Sequence, residues 1–82
     1  MYNLVYSEDA VRGLLNLRSL RKRDSALRFL EHLASDPFTL GDLELNDNSG
    51  RKNEIAILPG LMIVYWADHA AKEVRIVEVR QL

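Results

Sequence analysis

At Gly50 the spacing of apolar residues changes, and that change limits what the chain can fold into more than any other feature. Upstream, Ala26, Leu27, Leu30, Leu33 and Ala34 recur at helical intervals, with Phe29 at the edge of the stripe. Downstream the interval falls to two. Asn53 to Leu58 reads as a strand, Pro59-Gly60 as a tight turn and Leu61 to Ala67 as a second strand. Asp68-His69-Ala70-Ala71 then turns the chain into a last strand from Lys72 to Arg80. Helical segments followed by consecutive strands describe an α+β domain with helices on one face of an antiparallel sheet.

The upstream half completes the order β-α-α-β-β-β. Tyr2 to Tyr6 is β-prone and opens the sheet. Ser7 offers an N-cap, with Glu8 and Asp9 where the helix dipole favours negative charge. Val11, Leu14 and Leu15 continue an amphipathic first helix to about Leu20, with Gly13 as a weak point that allows close approach of the neighbouring helix. The second helix covers Lys22 to Ser35 and stops at Asp36-Pro37, because a residue before proline is pushed out of the α region. Thr39 to Gly50 reads as a polar connector with a turn-rich tip at residues 46–50, anchored to the core through Leu40, Leu43 and Leu45. The expectation is one domain over residues 1–82, a helical hairpin packed on one face of a mainly antiparallel four-stranded sheet. The uncovered face is the place for a site.

Eleven Lys and Arg against twelve Asp and Glu give a net charge of −1, without the basic excess expected of a protein that lives on phosphate backbones. The charge is uneven: Arg18, Arg21, Lys22 and Arg23 cluster, and Asp36, Asp42, Glu44 and Asp47 follow. The simplest reading of the basic cluster is a solvated helix surface. There are no cysteines, and neither His32 nor His69 has a second histidine at metal-ligand spacing, so neither a metal nor another cofactor is expected. The glycines are isolated and form no phosphate loop, and the serines are explained as caps and turns. The longest apolar run, Leu61 to Ala67, is strand-sized, and the first residues lack the pattern of a signal peptide, so the cytoplasm is expected and a membrane is not. A chain this short buries only about 60–65% of its unfolded surface, which favours a protein partner or a homo-oligomer.

Several local strings, in order along nearly the whole chain, resemble the RelE/ParE superfamily, the toxins of type II toxin–antitoxin and plasmid stabilisation systems. They are Tyr2-Asn3-Leu4-Val5-Tyr6-Ser7-Glu8-Asp9-Ala10, Leu30-Glu31-His32-Leu33-Ala34-Ser35-Asp36-Pro37, Gly41-Asp42-Leu43, Gly60-Leu61-Met62-Ile63-Val64-Tyr65 and Val74-Arg75-Ile76-Val77-Glu78-Val79. The resemblance implies a cognate antitoxin as partner. In the family's translation-inhibiting ribonucleases it also implies the ribosome and mRNA. Those ribonucleases carry Gly-Tyr-Arg followed by two apolar residues and Tyr on the central strand, and the arginine stabilises charge on the scissile phosphate. Here Leu61 and Met62 replace the tyrosine and arginine, and Glu54 and Ala56 stand where basic residues often alternate on the preceding strand. Arg51, Lys52, Arg80 and Tyr65 remain as candidate RNA- or ribosome-binding residues, with no catalytic residue assigned. His69 is kept as a minor acid–base candidate. The leading expectation is a toxin-like chain that works through its antitoxin. The alternatives are an mRNA endoribonuclease with a variant basic set, and a gyrase-binding or non-toxic relative of the fold.

Overall fold

The computed structural model describes all 82 residues, in the order β1 (Asn3–Tyr6), α1 (Glu8–Leu15), α2 (Leu20–Ser35), β2 (Leu43–Asn46), β3 (Lys52–Leu58), β4 (Leu61–Asp68) and β5 (Glu73–Gln81). The sheet has five strands, one more than expected, ordered β1-β5-β4-β3-β2. β1 runs parallel to β5 and every other pairing is antiparallel. The additional strand, β2, comes from the expected connector. Leu43 and Leu45 do not anchor it: they, like Leu40, are largely exposed, and β2 is held by backbone pairing to β3. Asp42 completes that edge, because its carboxylate accepts the Ile57 N–H at 2.7 Å.

α1 is shorter than its periodicity implies. It ends at Leu15, and Asn16 closes it with its backbone N–H on the Arg12 carbonyl. Leu17 is buried outside the helix, so an apolar residue at helical spacing belongs here to the link between helices. Ser7 caps α1 by accepting the Ala10 N–H at 3.0 Å and donates its own hydroxyl to the Val77 carbonyl at 2.6 Å. Val77 is the extra residue of a bulge: Val64 pairs with Glu78 while Tyr65 pairs with Ile76. The bulge reverses side-chain parity along β5, so that Val74, Ile76 and Val79 all turn toward the helices.

Gly13 serves β5 rather than the other helix. A Cβ there would lie 1.9 Å from the Val79 carbonyl oxygen, so only glycine lets α1 press this closely on the strand. Gly60, at φ 77°, follows Pro59 in the β3–β4 turn, the pairing a type II turn demands. Between helices and sheet lies one core, built from Ala10, Leu17, Leu30, Leu33, Ile63 and Tyr65 among others, with Phe29 packed against it. The opposite face of the sheet carries no layer.

Candidate functional site on the open face of the sheet

Residues paired across neighbouring strands project to the same face, so the register assigns the uncovered surface. Ile57, Met62 and Arg80 form one row, and Leu43, Ile55, Val64 and Glu78 the next. Trp66 and Arg75 form a third, with Leu45 and Asn53 side by side on β2 and β3. β2 to β4 therefore present leucine, isoleucine, methionine and tryptophan side chains. Leu43, Leu45 and Ile57 are 57%, 56% and 44% exposed, too much open apolar surface for a face that met only water.

The charges on this face are neutralised locally. Arg80 donates to Glu78 at 2.8 Å and Arg75 to Glu73 at 2.9 Å, each within β5. Arg51, just before β3, lays its guanidinium over the Trp66 ring at 4.0 Å from the centroid, a cation–π contact, while its backbone N–H donates to the Asp47 carboxylate at 2.9 Å. Asn53 is buried, and its side-chain carbonyl oxygen has no hydrogen-bond partner. Such an atom costs about 1–3 kcal/mol when left without a partner.

The expected site residues divide into two groups. Arg80 lies beside Met62 on the open face, but its charge is committed to Glu78. Arg51, Lys52 and Tyr65 instead line one cavity of about 360 Å³, together with Phe38, Trp66 and His69. Lys52 reaches Glu44 at 3.5 Å. Tyr65 is a core residue: it is 1% exposed, makes an edge-on contact with Phe29, and donates its hydroxyl to the Thr39 carbonyl at 3.0 Å. Its pKa is pushed up to about 12, first by burial and then by the Glu54 and Asp42 carboxylates. Burial also raises Tyr6. Asp47 is held below the usual carboxylate range, chiefly by the Ser49 hydroxyl bonded to it.

Glu54 and Ala56 do not flank Met62. They pair with Tyr65 and Ile63 on the helix side, where Ala56 is buried and Glu54 accepts the Gly41 N–H at 2.7 Å. The β3 residues on the open face are Asn53, Ile55 and Ile57. Both histidines hold the segment after α2 in place. The His69 ring stacks on Phe38 at 4.4 Å and meets the Tyr2 hydroxyl through Nδ1 at 2.9 Å. Thr39 gives its hydroxyl proton to the Asp36 carbonyl, so His32 Nε2, 3.0 Å away, must be the donor to Thr39. No three His, Asp or Glu side chains converge on a point where a metal ion could sit.

Sequence reasoning missed Trp66 and Asn53. Trp66 read as the end of an apolar run, and the basic residue two places before β3's first open-face position was the signal that could have found its partner, Arg51. Chemically, a thioether at position 62 neither donates hydrogen bonds nor offsets charge growing on a phosphate. The face can exclude water from an apolar partner surface.

No protein-family profile matches the sequence, and no curated protein matches it either. Solved structures do. A chain of the RelBE2 toxin–antitoxin complex from Mycobacterium tuberculosis superimposes with a TM-score of 0.79 at 21% identity, over 99% of this chain and 98% of that one. The isolated E. coli RelE toxin gives 0.74 at 20% identity, over 99% and 84%. The fold is that of the RelE toxins. The archaeal RelE–RelB complex from Pyrococcus horikoshii OT3 adds 0.77 at 17% identity, over 98% and 93%. This RelE-like fold places Met62 on β4, the middle strand of five, with Ile57 and Arg80 on either side.

Proposed function

We propose that this chain is the toxin-like component of a type II toxin–antitoxin pair, held by a cognate antitoxin in the cytoplasm, and that its open sheet face acts by binding protein rather than by cutting RNA. One observation carries the reading: the row of that face beside the β3–β4 turn is Ile57, Met62 and an Arg80 paired with Glu78, and the next row inward is Leu43, Ile55, Val64 and that same Glu78. A phosphate backbone needs uncompensated cations there, whereas an apolar partner segment gains roughly 25 cal/mol for each Å² it buries. The RelE-like fold supports the same reading, since similar structures include a RelBE2 toxin–antitoxin complex and a RelE–RelB complex. No helix is long and apolar enough to cross a membrane.

The test is co-expression with the product of a short reading frame beside the gene. The two proteins are expected to co-purify, and Ile55→Asp with Ile57→Asp to weaken the complex at least tenfold in a still-folded chain. Efficient cutting of messages by the purified wild-type chain on translating ribosomes, through the Met62 face, overturns the proposal. Met62→Arg restores a guanidinium on the open face of the middle strand and is expected to create or raise growth arrest.

A second reading draws on the cavity. The Arg51 guanidinium is in no ion pair and lies on an aromatic ring beside Lys52, an arrangement suited to a stacked base and its phosphate, although Asp47 lies close enough to feel its charge. Codon-phased cuts that vanish in the Arg51→Ala, Lys52→Ala double variant would favour it over the first.

A further inference from the structure

Outside the open face, positive charge collects at one corner. Of the eleven Lys and Arg side chains, Arg12, Arg28, Lys52, Arg75 and Arg80 are in ion pairs. Four of the remaining six, Arg18, Arg21, Lys22 and Arg23, stand within six positions where α1 gives way to α2. None of the four meets a carboxylate. Arg23 donates to the Leu17 carbonyl at 2.8 Å, and the stem of Lys22 lies across Gly60.

The same corner exposes apolar surface. Leu15, the last residue of α1, is 72% exposed, and Leu20, the first of α2, is 79% exposed. The first turn of α2 holds no acidic residue and begins with cations that oppose the helix dipole, an opposition that the Ser19 cap on the Lys22 N–H only partly offsets.

We infer that the α1–α2 corner docks an acidic, amphipathic segment of another protein, its carboxylates set against Arg18 and Arg21 and its apolar stripe against Leu15 and Leu20. The leucines decide between classes of polyanion, since a sugar-phosphate backbone gains little from them. A second copy of this chain could offer its own exposed edge from Asp42 to Asp47, where leucines alternate with acids. That contact would be head-to-tail, and such contacts form rings only when the rotation closes and otherwise open filaments. The corner belongs to the helix layer, so the inference goes beyond the reading of the sheet's open face.

The experiment titrates the full chain with three probes: a synthetic helical peptide with leucines at helical spacing and glutamates between them, polyglutamate, and a duplex RNA. The leucine–glutamate peptide is expected to bind more tightly than the other two and to shift the amide resonances of residues 15–23. Arg18→Glu with Arg21→Glu, and separately Leu15→Ser with Leu20→Ser, should each weaken it about tenfold, while circular dichroism and thermal unfolding confirm that both variants fold. Duplex RNA binding as tightly as the peptide, or indifference to the leucine variant, overturns the inference in favour of a phosphate site. Self-association of the free chain that the arginine variant abolishes overturns it in favour of a second copy, and no saturable binding by any probe overturns it outright. Because the peptide is synthetic and the open face is intact in these variants, failure here leaves the antitoxin reading standing.

Discussion

On β4, Leu61, Ile63 and Tyr65 turn under the helices and are almost wholly enclosed, whereas Met62 and Trp66, their neighbours in sequence, keep part of their surface in water. The same contrast runs across β3, where Ala56 is buried and Ile57 is 44% exposed. The two faces of the sheet have similar apolar composition and opposite surroundings. Two short helices cover one face only, so on the other Leu43, Leu45 and Ile57 stay about half in water, although Val64 between them is buried by its neighbours. Exposed leucines and isoleucine there fit the association proposed for that face. The charges agree in part: acids and bases on the open side of β5 neutralise one another, and four of the six cations outside ion pairs lie at the α1–α2 corner.

The contrast fails if adjacent residues of β4 turn out to matter equally. Ile63→Ala should cost about 3 kcal/mol in urea unfolding, the usual range for an enclosed isoleucine, and Met62→Ala less than about 1 kcal/mol, as for a side chain still partly in water. Equal losses would mean that the open face is already covered in solution by a second copy.

Tyr65→Phe tests the covered side through a polar group and should cost about 1 kcal/mol, the worth of one hydrogen bond. It also carries a pH signature. Folding raises the Tyr65 pKa from 10.0 to about 12, so the protonated phenol is the form the fold favours. Its contribution is complete below pH 10 and declines as pH climbs toward 12, because the unfolded chain releases its proton first. The raised Tyr6 adds a decline of the same sign. Unfolding measured from pH 9 upward, about a unit below the ordinary tyrosine value, should fall less steeply in Tyr65→Phe than in the wild type.

Asn53→Val probes the open face in the opposite direction. Removing a buried oxygen without a partner should stabilise the chain by about 1 kcal/mol while weakening any complex that supplies the missing donor. The smallest effect belongs to the corner. Arg21→Glu replaces a cation opposed to the dipole of α2 and should raise stability by about 0.5 kcal/mol, seen as a slightly higher Tm, even as it weakens acidic partners.

Much of the fold could be read from the residues alone because β3 to β5 are strand-length, β-prone segments separated by Pro59-Gly60 and by Asp68 to Ala71. α2 ends at Asp36-Pro37 as local chemistry dictates. β2 escaped notice because four residues are too few to establish a period, and its leucines looked like anchors although they face water. The facing of β3 escaped notice too: Ile55, Ala56 and Ile57 are all apolar, so alternation could not say which side lies inside, and only the pairing of Ala56 with Ile63 decides it. The ion pairs of Arg80 and Lys52 depend on geometry that spacing does not encode. Tyr65 looked like a site residue and a core residue at once, and the hydroxyl's bond to Thr39 places it in the core.

The placement of β1 sets the order in which the molecule can assemble. Its only strand neighbour is β5, so the first ribbon of chain must wait for the last one. The β3–β4–β5 meander closes through short local turns and is free to form early. The β1–β5 seam spans nearly the full sequence and bears the larger loop-closure entropy. On a ribosome, a nascent copy therefore cannot close this seam until β5 clears the exit tunnel.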